Sequence, residues 1–250
     1  MRFDIPVPCF FGNMDFCAAI EKIAALGFDA AETYNWQCLD IPAVRAACEQ
    51  NGVELLSVCT SEFTLTDAAY RERYLRCLRE SCAAARSLGA KMLITQVGAD
   101  TGEERARQQE NIIATLALAH PILEDAGITL LVEPLNALYN HKGYYLTRSD
   151  EAFAILRAVD SPFVKLVFDI YHQQVTEGNL LNNMLDNLGQ IGHLHAAGHP
   201  GRHDLQEGET DYRFLFRKLD AAGYKGACGL EYNPLGDAAE SLAAFRKLYL

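Results

Sequence analysis

The sequence predicts an α/β fold, a single closed (β/α)8 barrel. Short β-type apolar runs alternate strictly with longer segments of helical periodicity from one end of the 250 residues to the other. Several helical patterns stop on glycine, as in LGF at 26–28, NGV at 51–53, LGA at 88–90, AGI at 126–128 and AGY at 222–224, with the next run close behind. Polar clusters instead follow the run ends: 35–37, 136–144 and 199–209. Short αβ turns and polar βα loops are the asymmetry of a barrel whose site forms at the carboxyl ends of its strands.

The elements follow in order. A first strand over Phe3–Val7 leads to a helix over Asp15–Leu26, and Asp29–Glu32 to Pro42–Asn51. Val53–Val58 precedes Ala69–Leu88, and Met92–Gln96 precedes Glu103–Ala126. The second half repeats the unit: Thr129–Glu133 with Ser149–Val159, Val164–Asp169 with Asn179–Leu188, Ile191–His195 with Tyr212–Ala222, and Ala227–Glu231 with Asp237–Leu248. An open doubly wound sheet would also alternate, but no GxGxxG follows a strand and no GxxxxGK[ST] occurs. Without a linker or low-complexity stretch, residues 1–250 read as one domain.

Composition narrows the function classes. Lys plus Arg number 22 against 33 Asp plus Glu, a formal charge of −11 without a basic run, which argues against nucleic acid as a partner. No stretch approaches 18 consecutive apolar residues, so no membrane helix is expected. The eight cysteines form no CxxC pair and read as thiols of a reducing compartment. MRFDIPVPCFFGNMDF has no basic segment ahead of an apolar stretch, so a cytoplasmic location is expected. The oligomeric state stays open, a homo-oligomer included.

Four predicted strands end in a metal-capable side chain: Glu133 in TLLVE, Asp169 in VKLVFD, His195 in IGHLH and Glu231 in GACGLE. Their separations of 36, 26 and 36 residues are close to one βα unit each, which assigns them to strands five through eight. A single acid at a strand end is often a cap or an ion-pair partner. Four in consecutive units, each after an apolar run where a lone charge is costly, point to one shared site. Three carboxylates and an imidazole suit a divalent ion, with Mn²⁺ or Mg²⁺ favoured and Co²⁺ or Zn²⁺ admissible. An ion gripping a carbonyl and a neighbouring hydroxyl acidifies the C–H between them, and two carboxylates can then move the proton. Glu133 and Glu231 are the natural acid/base pair.

His172 in DIYHQQ is expected to donate to a substrate hydroxyl, and Arg202 in HPGRHD to meet a substrate carboxylate or brace its acidic loop. His203, Glu209 and Glu62 lie around the same core. His193 is expected to point toward the helix layer as a packed histidine. Trp36, His141 and Tyr144 either close the pocket over substrate or pack their own loops.

VEPLN at 132–136, HKGYYL at 141–146, FDIYHQQVTEGNL at 168–180, GHLHAAGHPGRHDLQEGETDY at 192–212 and GLEYNP at 229–234 resemble the hydroxypyruvate isomerase family. That family belongs to the xylose isomerase-like TIM barrels, with the ketose 3-epimerases as relatives. The resemblance implies isomerisation of a small hydroxy-oxo acid, hydroxypyruvate to tartronate semialdehyde, without an organic cofactor. It also implies proton transfer by Glu133 and Glu231, Arg202 on the substrate carboxylate and His172 on a hydroxyl or carbonyl oxygen. Two departures stand out. His195 occupies a position where the isomerases usually show glutamine and the epimerases histidine, while Ala137–Asn140 lacks the further acid that the epimerases carry after EPLN. A related group cleaves DNA at abasic sites with several zinc ions, and the strong negative charge speaks against it. The alternatives are a ketose 3-epimerase, or a barrel that binds a sugar or sugar acid without turnover, although both acid/base glutamates are present.

Overall fold

A computed structural model describes residues 1–250. Eight parallel strands close a barrel in the order of the chain: β1 (Arg2–Pro6), β2 (Ala30–Glu32), β3 (Glu54–Cys59), β4 (Met92–Thr95), β5 (Thr129–Val132), β6 (Val164–Asp169), β7 (Ile191–His195) and β8 (Ala227–Gly229). Ten helices accompany them: α1 (Val7–Phe11), α2 (Phe16–Ala25), α3 (Ile41–Asn51), α4 (Arg71–Leu88), α5 (Arg105–Ala126), α6 (Ser149–Val159), α7 (Ile170–Thr176), α8 (Leu180–Asp186), α9 (Tyr212–Ala221) and α10 (Ala238–Tyr249). The expected (β/α)8 TIM barrel is therefore present. No helix is long and apolar enough to cross a membrane.

Local chemistry sets the boundaries. Asp15 and Asp40 cap α2 and α3, their Oδ1 atoms accepting from the Ala18 and Ala43 amides at 3.1 Å. Gly52 and Gly89 end α3 and α4 in the left-handed region, at φ of 65° and 84°. Two details differ from the sequence reading. The first strand stops at Pro6, and Val7 and Pro8 open α1, where proline's fixed φ suits a first helical turn. A helix not anticipated, α7, starts directly after β6, because Asp169 Oδ1 accepts from the His172 amide at 3.0 Å and so caps it.

The main core is a cluster of 60 buried residues. Two small apolar clusters stand apart from it on the strands: Ala30, Leu56 and Ala227, and Ile94, Leu131 and Val167. Leu131 and Val167 precede Glu133 and Asp169 by two residues, so period-two alternation places them under those carboxylates. The same alternation corrects the expectation for His193. Residues two apart share a face, and His193 lies in the barrel interior beneath His195, rings 5.3 Å apart and Nε2 3.5 Å from Asp4 on β1. It is packed, as expected, but inside the barrel and not against the helices.

Candidate active site

Glu133 directly follows β5, Asp169 and His195 end β6 and β7, and Glu231 lies just past β8. Consecutive strand ends converge, and one ligand atom from each of the four falls within 4.8 Å of the others. His195 Nδ1 is 3.3 Å from Glu133 Oε1 and 3.1 Å from Glu231 Oε2. Arg202 Nη2 donates to Glu231 Oε2 at 2.5 Å and approaches Asp169 Oδ2 at 3.5 Å. Tyr34, just past β2, donates its hydroxyl to Glu231 Oε1 at 2.7 Å.

Three buried carboxylates so close together demand positive charge. Burial pushes Asp169 up to about 6 against the pull of Arg202, and it raises Glu133 against the His195 imidazole. Burial also pushes Glu231 up, but Arg202 and His195 outweigh it and hold that carboxyl well below the usual range. For His195 burial is overcome by Glu32 and Glu231, so the ring is held well above the ordinary histidine value. Arg202 supplies one cation here, and the carboxylates draw His195 toward its protonated form, a role that a bound cation would take over. The donor set fits a divalent ion: three convergent carboxylates, plus an Nδ1 that is buried and makes no well-aligned hydrogen bond.

His172 is fully buried on α7. Its Nδ1 faces the Asn136 amide at 3.2 Å and the Asn136 carboxamide nitrogen at 2.6 Å, both donors, so the ring proton resides on Nε2. Nε2 makes no well-aligned hydrogen bond and stands 3.5 Å from Asp169 Oδ2, and the residue lines the cavity. Burial, aided by Arg202, pushes this ring down to about 3, which favours the neutral imidazole. Arg202 adopts a left-handed φ of 60°, and its guanidinium lies over the Tyr171 ring at 5.4 Å.

The cavity above the cluster has a volume of about 570 Å³. Glu133, His172, His195, Arg202 and Glu231 line it together with His141. Tyr144 stands behind it, donating to the Glu133 carbonyl at 2.9 Å and accepting from the Val97 amide at 2.8 Å. Trp36 packs against the main core. Glu62 braces its own loop through the Phe63 and Thr64 amides and Arg73. His203 binds the Asn233 carbonyl at 2.8 Å, and Glu209 accepts from Gln174.

The structure adds Tyr34, Asn136, Glu32 and Asp4, none of which the sequence reading selected. Glu32 closes the short run AAE, so the strand-end rule that finds the other four would have found it. Tyr34 and Asn136 carry no such signal, because their partners are distant in sequence.

A family model described as Xylose isomerase-like TIM barrel matches residues 20–248. The hydroxypyruvate isomerase of Escherichia coli (strain K12) is 31% identical over 246 residues, covering 94% of each chain. A putative hydroxypyruvate isomerase of Homo sapiens is 30% identical over 269 residues, covering 100% of this chain and 95% of the relative. Among solved structures, an AP endonuclease, family 2, from Brucella melitensis superposes with a TM-score of 0.94 at 26% identity, covering 100% of this chain and 99% of that one. With the barrel, the convergent strand ends and these matches together, the chain belongs to the xylose isomerase-like TIM barrel family.

Proposed function

We propose that this single-domain chain is a metal-dependent isomerase of a small hydroxy-oxo acid, interconverting hydroxypyruvate and tartronate semialdehyde in the cytoplasm. The observation that carries the reading is the convergence of Glu133, Asp169, His195 and Glu231 within 4.8 Å, with Arg202 and His172 on the same cavity. Those four residues would hold one divalent ion, with Mn²⁺ or Mg²⁺ favoured. When bound, it polarises the substrate carbonyl and adjacent hydroxyl and so acidifies the C–H between them. One of the Glu133/Glu231 pair takes a proton from C3. The resulting enediol is reprotonated at C2 by the pair, and the hydroxyl proton passes from O3 to O2, so atoms balance. Arg202 offers its unengaged guanidinium nitrogens to the substrate carboxylate, and His172 donates Nε2–H to a substrate oxygen.

A second reading, a ketose or longer sugar acid as substrate, is favoured by the cavity. Its volume of about 570 Å³ exceeds what a three-carbon acid fills, and its wall beyond the cluster carries Gln96 and Ser61, whose hydroxyl has no partner. Epimerisation at C3 would use the same glutamate pair. Cleavage of nucleic acid, named for the Brucella protein, fits poorly with a formal charge of −11.

The test incubates metal-free protein with Mn²⁺, Mg²⁺ or Co²⁺ in deuterated water, with hydroxypyruvate and then a panel of ketoses, with Glu133→Gln as control. Metal-dependent hydroxypyruvate turnover with deuterium incorporation, lost in the control, supports the isomerase. Turnover of a ketose to its C3 epimer supports the second reading. Silence with every substrate counts against both and favours a binding role.

A further inference from the structure

Beneath the metal-capable cluster, the lumen holds a second polar layer that the proposed reaction does not use. Glu32 ends β2, and its Oε2 is hydrogen-bonded to His195 Nε2, the ring nitrogen facing away from the cluster, at 3.3 Å, with Oε1 also 3.1 Å from that nitrogen. Ser57 on β3 donates to Glu32 Oε2 at 2.9 Å, and His193 Nε2 stands 3.6 Å from the same oxygen. All four side chains are fully buried. The fit is close: a Cβ on Gly229 would come 2.9 Å from His195 Cδ2 and 3.1 Å from Glu32 Oε1.

We infer that Glu32 is a positioning residue for His195, holding the imidazole by its Nε2–H so that Nδ1 alone is presented to Glu133, Asp169 and Glu231. A neutral imidazole has one donor and one acceptor nitrogen, and whichever hydrogen bond one nitrogen makes decides what the other can do. A buried carboxylate on Nε2 commits that nitrogen as donor and leaves the Nδ1 lone pair for a cation. Ser57 keeps the Glu32 carboxylate in place, and Gly229 leaves room for the pair.

The inference rests on the reading that His195 helps hold a divalent ion, and its test separates the two. Calorimetry measures Mg²⁺ and Mn²⁺ affinity of the whole chain, and ¹⁵N spectra of histidine-labelled, Mg²⁺-loaded protein report the His195 tautomer, assigned against His195→Gln. The expected result for Glu32→Gln is an affinity lower by roughly 10- to 100-fold with loss of the single Nε2–H signature, and partial recovery in Glu32→Asp. If Glu32→Gln does not fold, Ser57→Ala serves, with an expected loss of roughly two- to fivefold. Wild-type affinity and tautomer in the folded variant, even with a lowered melting temperature, would overturn the inference and leave the proposed function standing. Absence of divalent binding by the unaltered protein would overturn both.

Discussion

The Tyr34 hydroxyl and Glu231 lie 197 residues apart in sequence and 2.7 Å apart in space, the hydroxyl donating to Oε1 while Arg202 holds Oε2. Both oxygens of Glu231, one of the proposed acid/base pair, are therefore oriented by residues of the loops that follow β2 and β7. A hydrogen bond to a charged group contributes about 1.5–3 kcal/mol. Tyr34→Phe is expected to lower kcat by roughly 10- to 100-fold with a smaller change in KM, read from steady-state kinetics. An unchanged kcat would remove Tyr34 from the machinery.

Divalent ions should stabilise the fold, because the four candidate ligands converge only in the native state. At a free concentration 100 times Kd the linkage is worth about 2.7 kcal/mol. For a chain of this size that is a rise of roughly 5–10 °C in Tm over protein treated with a chelator. Asp169→Asn should abolish most of the rise, which differential scanning calorimetry measures directly.

His172 gives a signed pH dependence. Its folded value, pushed down to about 3 by burial and Arg202, lies below the ordinary 6.5. Between those values the native state binds fewer protons than the unfolded chain, so stability is lost as pH falls from about 6.5 toward 3. His172→Gln should flatten the acid limb of stability against pH by close to one proton, as measured by urea unfolding at a series of pH values. An identical slope would mean that the ring is charged in the native state.

A methyl group at Gly229 on β8 would come 2.9 Å from His195 Cδ2, 3.1 Å from Glu32 Oε1 and 3.3 Å from Asp4 Oδ2. Gly229→Ala is expected to cost about 1–3 kcal/mol in chemical denaturation, through displacement of His195 and Glu32. A neutral result would show that the lumen yields at this point.

Alternation and strand-end chemistry make the barrel and the convergence of four candidate site residues legible in the sequence. β6, β7 and α6 have the boundaries that periodicity predicts, and Glu133, Asp169, His195 and Glu231 meet as their spacing implies. What stayed hidden depends on contacts between distant segments. α7 was missed because Asp169 is both a strand end and a helix cap, so strand and helix abut without a polar loop to mark the change. Asn136 reads as an ordinary loop residue until the fold carries it to His172, 36 residues away. Asp4 is a lone acid in a short strand, which describes a surface residue equally well, yet it is fully buried.

The lumen is chemically lopsided. Under β4, β5 and β6 it holds Ile94, Leu131 and Val167, whereas toward β1, β2 and β7 it holds Asp4, Glu32 and His193. A side chain in the first half can change its volume and be accommodated by repacking, but one in the second half cannot change without stranding a charge. Inheritance should feel that difference. Drift toward new substrates has its cheapest route through the cavity wall carried by Ser61 and Gln96, while the ionic half acts as a ratchet that admits only coordinated replacements.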